Sequence, residues 1–184
     1  ELQKFLSNFE KNKKTKAITA KKESTITSKF DPQVQIIKLK EGISLLHRKN
    51  EINPTFVMQA YLRGGLTEES KATNGVFHLL TANLTKGYKG MPYDTLKQDL
   101  EDRSASLNGF AGKNAYGLSM HGLSDHYTSL LDHFFGTLKA PLLGAKFINH
   151  EKKVTSRVIA SMTTDPTKIC FEEVSKIFFG THPY

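Results

Sequence analysis

Seven histidines and one cysteine are the side chains through which this 184-residue chain could bind a transition metal or supply a soft nucleophile. Zinc needs three or four ligands converging at about 2 Å, and two helical histidines four residues apart supply two of them from one face. The stretch "GVFHLLTANLTKG" puts His78 on a helical pattern, but the positions three and four residues on are Thr81 and Ala82. Neither ligates zinc well, and threonine cannot serve as a carboxylate base. His126 and His133 are seven residues apart, too far to share an ion without a third group. His47, His121, His150 and His182 each stand alone and read as surface or packing residues. Cys170 excludes an internal disulfide and a cysteine-based zinc site, and its helical context makes it a small core residue. No nucleophile elbow occurs, no glycine-rich loop joins a strand to a helix with phosphate-binding spacing, and the carboxylates of "LEDR" read as a solvated face.

The elements that would position these groups follow from periodicity. Leu2, Phe5, Leu6 and Phe9 fit a short helix over residues 1–10. A Lys-rich linker then runs to about Lys29. Residues 1–30 hold eight lysines and three glutamates, so most of the net charge of +8 belongs to this segment. It has no arginine and no interleaved aromatics along "KNKKTKAITAKKESTITSK", so it reads as a solvated linker and not a nucleic-acid surface. From Val34 the period becomes two. "VQIIKLK" and "ISLLHRK" flank Glu41-Gly42 as a hairpin, and "TFVMQAYLRGG" is a third strand ending in a turn or close backbone approach at Gly64-Gly65.

A helix over Asn74–Lys86 follows, with Asn74 as N-cap and Gly87 as C-cap, then a helix over Tyr93–Ala105. Strands span Ser106–Gly112 and Ala115–Leu123. Ser124-Asp125 caps a helix to Lys139 with Tyr127, Leu130, Leu131 and Phe134 inside. Helices from Lys146 to Thr163 and from Asp165-Pro166 to Phe179 complete the chain. The order β-β-β-α-α-β-β-α-α-α predicts an α+β, two-layer sandwich with an antiparallel sheet packed against helices. No apolar run is long enough for a membrane span. No signal peptide is visible, and neither bacterial periplasm nor cytoplasm is singled out.

Five stretches in this order resemble a known family: "LKEGISLLHRKN", "YLRGGLTEES", "GVFHLLTANLTKG", "LEDRSASLNGFAG" and "TDPTKICFEEVSKIFFGTHPY". Together they resemble the N-terminal domain of an insulinase- or pitrilysin-type zinc peptidase half, the inverzincin family. The mitochondrial processing peptidases and the core proteins of the respiratory cytochrome bc complex belong to the same group. The resemblance covers about Val34 to Tyr184. It implies a LuxS/processing-peptidase-like metallohydrolase fold, truncated at its C-terminal end. Residues 1–31 would be a connection from a preceding half, and 32–184 the domain.

Active members carry His-x-x-Glu-His, two zinc ligands and a general base, with a Glu further along as third ligand. Laid on this chain, the first His matches His78, the base falls on Thr81, the second His on Ala82, and the third ligand near Val158. The resemblance therefore implies a degenerate motif with no catalytic residue and no metal in this fragment, zinc being expected in an active half. That half, on the same chain or a partner subunit, and a peptide substrate are the implied partners. The family's edge strand carries Asn-Ala and binds extended peptide. Here Asn108, Gly109 and Phe110 take its place, after Ser104-Ala105 where a glycine-containing pair is usual. The alternatives are a structural subunit resembling the cytochrome bc core proteins, or an active zinc peptidase with displaced ligands such as His121 or Glu151 joining His78.

Overall fold

The computed structural model describes residues 25–27, 34–40, 42–162, 164–180 and 182. The chain divides into two compact units, residues 1–51 and 52–184. In the first, β1 (Thr25–Thr27), β2 (Val34–Lys40) and β3 (Ile43–Arg48) form an antiparallel sheet in that order. Lys40 pairs with Ile43, so β2 and β3 form the expected hairpin, and Gly42 takes the left-handed φ of 79° that such a turn needs. Strand β1 lies inside the segment whose composition suggested only linker. The helix expected over residues 1–10 lies outside the described residues.

The second unit is built on β4 (Thr55–Arg63), β7 (Ser106–Ala111) and β8 (Ala115–Leu123), ordered β4-β8-β7 and antiparallel throughout. Strict alternation along β4 turns Phe56, Met58, Ala60 and Leu62 toward the core. Leu118 and Met120 of β8 and Leu107 of β7 continue that inner face. Onto it pack Phe77, Leu80 and Leu84 of α1 (Val76–Leu84), Leu96 of α2 (Tyr93–Asp102), and Leu130 and Phe134 of α3 (Tyr127–Lys139). One face of the sheet is thus covered by helices, the α+β two-layer arrangement expected from the element order. Helices α4 (Ala145–Met162) and α5 (Pro166–Phe179) follow. The Asp165 side chain caps α5 by accepting from the N–H groups of Thr167 and Lys168 at 3.0 and 3.4 Å, with Pro166 at the first helical position.

Several local expectations are corrected. Helix α1 starts at Val76 after Gly75 at φ 86°, and not with an Asn74 cap. Its first N–H groups are satisfied from a distance: the Glu69 carboxylate accepts from Gly75 N at 2.8 Å and Phe77 N at 3.0 Å. Gly87 does not cap α1. It opens a two-stranded ribbon, β5 (Gly87–Tyr88) with β6 (Met91–Pro92), too short to leave a periodic signal. A 3-10 turn over Ser124–His126 precedes α3, and neither Ser124 nor Asp125 caps it through a side chain. Tyr127 is half-exposed, its ring set edge-on to Phe56 at 5.2 Å, while Leu130 and Phe134 are buried as expected. Cys170 is exposed and not a core residue, because the face of α5 bearing Phe171, Ile177 and Phe178 is itself exposed.

Candidate functional site

His78 is the third residue of α1, in its first turn, and α4 runs beside it. Its Nε2 is 3.6 Å from Glu151 Oε1 and 3.3 Å from Thr155 Oγ1, two α4 side chains one turn apart. Val158, the position aligned with a third ligand, is 45% exposed and contributes only an isopropyl group. The α4 side chains that reach His78 are therefore Glu151 and Thr155. His121 pairs instead with Ser119 on β8, at 3.2 Å.

The positions three and four residues after His78, Thr81 and Ala82, are closed to metal chemistry. Thr81 is buried, and its hydroxyl donates to the carbonyls of Phe77 at 2.9 Å and His78 at 3.2 Å, turned back on its own helix. Ala82 offers a methyl group. A histidine, one carboxylate and a hydroxyl do not make a zinc donor set. Among the described residues no group of three or more His, Cys, Asp or Glu side chains is placed to hold a metal ion. The residues present do not fit zinc.

Strand β7 is hydrogen-bonded on one side only, to β8, and is an edge of its sheet among the described residues. Asn108 is exposed, and Phe110 packs its ring 5.0 Å from that of Tyr61. Gly109 between them lies against the main chain of α1, where a Cβ would collide with the Thr81 carbonyl. Ser104 takes φ 50°, so the turn into β7 keeps a left-handed residue without glycine.

One constellation escaped sequence reasoning. His133 is only 6% exposed and bridges three elements. Its Nε2–H donates to Asp99 Oδ2 of α2 at 2.5 Å, and Nδ1 is 3.0 Å from the Tyr88 hydroxyl of β5. Arg103 clamps the same carboxylate, donating from Nε at 3.0 Å and Nη2 at 2.8 Å. The hydrogen bond from His133, and then the Arg103 guanidinium, hold the Asp99 carboxyl below its ordinary range. Burial, then the Asp132 and Asp99 charges, push the Tyr88 hydroxyl up. The Asp99–Arg103 spacing of four was visible in the sequence; its histidine, 34 residues away, was not. With every polar atom of the ring paired, this network ties α2, α3 and the β5–β6 ribbon together.

The described helices include none long and apolar enough to cross a membrane. A comparison with curated proteins finds no match. Among solved structures, the chain is similar to a peptidase M16 inactive domain from Pseudomonas fluorescens, with TM-score 0.74 and 24% identity over 82% of this chain and 37% of that one. It is also similar to the ferredoxin protease FusC, a mutant in complex with Arabidopsis ferredoxin, with TM-score 0.63 and 15% identity over 88% of this chain and 18% of that one. The chain thus spans well under half the length of either neighbour, and at these identities the likeness establishes the fold. The model of the insulinase family, peptidase family M16, matches residues 46–184. With that match over most of its length, the chain belongs to the insulinase family.

Proposed function

We propose that this chain is a non-catalytic half of an insulinase-type zinc metallopeptidase, one that encloses or positions peptide for an active half. The observation that carries this reading is that, among the described residues, His78 pairs with Glu151 and Thr155 alone, while Thr81 turns its hydroxyl into its own helix. Without a carboxylate at position 81, a water near His78 lacks the base that would take its proton. Without histidine at 82, the helix offers zinc one ligand. Zinc then belongs to the active half, on the same polypeptide or a partner subunit.

The positioning role rests on β7. An edge strand pairs with an extended peptide of almost any sequence, because main-chain groups make the bonds. Asn108, Gly109 and Phe110 are the contact residues on this reading. The test is hydrolysis of a fluorogenic peptide mixture by the purified chain with one equivalent of zinc. No turnover above the zinc-only control is expected. Turnover that disappears in His78→Ala would overturn the proposal and favour the displaced-ligand reading, for which the nearness of Glu151 to His78 is the supporting observation.

A further inference from the structure

A pocket of about 570 Å³ opens where the end of α1, the start of α2 and the first turns of α4 meet. Its size is that of a small-molecule site. Three lysines line it: Lys86 after α1, and Lys146 and Lys153 on α4. None of them forms an ion pair among the described residues. The one acid in the lining, Glu151, has its carboxylate directed at His78. With three lysines against one carboxylate, the lining carries a net positive charge.

Two further features favour an anion. Tyr93 is the first residue of α2, and Lys146 and Phe147 are the second and third of α4, so the positive ends of two helix dipoles adjoin the pocket against the single negative end of α1 beside Lys86. The wall is aromatic: Tyr93 and Phe147 meet edge to face at 5.3 Å, and Lys86 Nζ sits 5.1 Å from the Tyr93 ring centroid. Lysines are compact, mobile charges that suit a phosphate or a carboxylate equally. The rings offer a surface for an apolar or aromatic body.

We propose that this pocket binds an organic anion, its phosphate or carboxylate group among Lys86, Lys146 and Lys153 and its apolar or aromatic body against Tyr93 and Phe147. The site adjoins the His78 pair through Glu151 but uses neither His78 nor the edge strand, and stands whether or not the chain is catalytic.

Titration calorimetry on the full chain tests it, with phenyl phosphate, phenylacetate and the uncharged benzyl alcohol as probes. At least one anion should bind saturably, and whichever of the two binds tighter identifies the charged group. The double variant Lys146→Gln/Lys153→Gln should weaken that binding by roughly tenfold or more, and added salt should weaken it further. Lys97→Gln, which alters a lysine of α2 outside the pocket, should change it by less than about twofold. Phe147→Ala should weaken phenyl phosphate more than inorganic phosphate. Absence of saturable binding by either anion up to about 10 mM would overturn the proposal. So would benzyl alcohol binding as tightly as the anions, or equal losses in the double variant and Lys97→Gln.

Discussion

Gly109 of β7 lies so close to the carbonyl of Thr81 on α1 that a Cβ at residue 109 would collide with it. Strand β7 and helix α1 are therefore fitted to each other at Gly109 and Thr81. Thr81 is buried in that contact, and glycine is what lets the backbones approach.

Gly109→Ala should destabilise the domain by about 1–3 kcal/mol through overpacking against the Thr81 carbonyl. Urea unfolding followed by circular dichroism measures it. An unchanged midpoint would mean that α1 can move away from β7 at no cost.

Ser104 is the one described non-glycine residue at positive φ, 50°. Left-handed backbone costs a β-carbon-bearing residue about 1–2 kcal/mol, and glycine adopts it freely. Ser104→Gly should thus raise stability by about 1 kcal/mol, seen as a melting temperature some 2–4 °C higher.

Glu69 caps α1 from seven residues before its start, through two hydrogen bonds to main-chain N–H groups. Glu69→Ala should cost about 1 kcal/mol, as losing an N-cap does. Amide exchange at Gly75 and Phe77 should accelerate more than exchange in α3.

The Asp99–His133 contact makes stability pH-dependent in acid. Asp99 is held below its ordinary value in the folded state, so its contribution is present above the unfolded carboxylate pKa of about 3.9 and is lost as pH falls through the lowered folded value. Asp99→Asn should be less stable than the parent chain by about 2 kcal/mol near neutrality, with the gap narrowing below about pH 4. Denaturant unfolding across pH measures both. A gap that stays constant to pH 2 would mean that the carboxylate charge plays no part.

The long periodic elements were legible because one amphipathic pattern decides each of them. The alternation of Phe56, Met58, Ala60 and Leu62 marked β4, and Asp165-Pro166 marked the start of α5. What stayed hidden depended on partners far along the chain. Glu69 displaces Asn74 as the cap because a 3-10 turn at Leu66–Glu68 brings its carboxylate to the helix start. His133 looked like an isolated histidine until the fold brought Asp99 and Tyr88 to its two nitrogens. Cys170 followed a helical pattern, but an amphipathic pattern shows which face is apolar and not whether anything covers it. Of the candidate site, His78, Thr81, Ala82 and Val158 could be placed by resemblance alone; that Glu151 and Thr155 face His78 required the packing of α4 on α1.

The most direct test of the central claim is the zinc content of the purified chain, dialysed after one equivalent of zinc, beside His78→Ala. The account predicts no retained metal in either protein, since His78 and Glu151 give at most two protein ligands. Near-stoichiometric zinc in the parent chain, lost in His78→Ala, would contradict it.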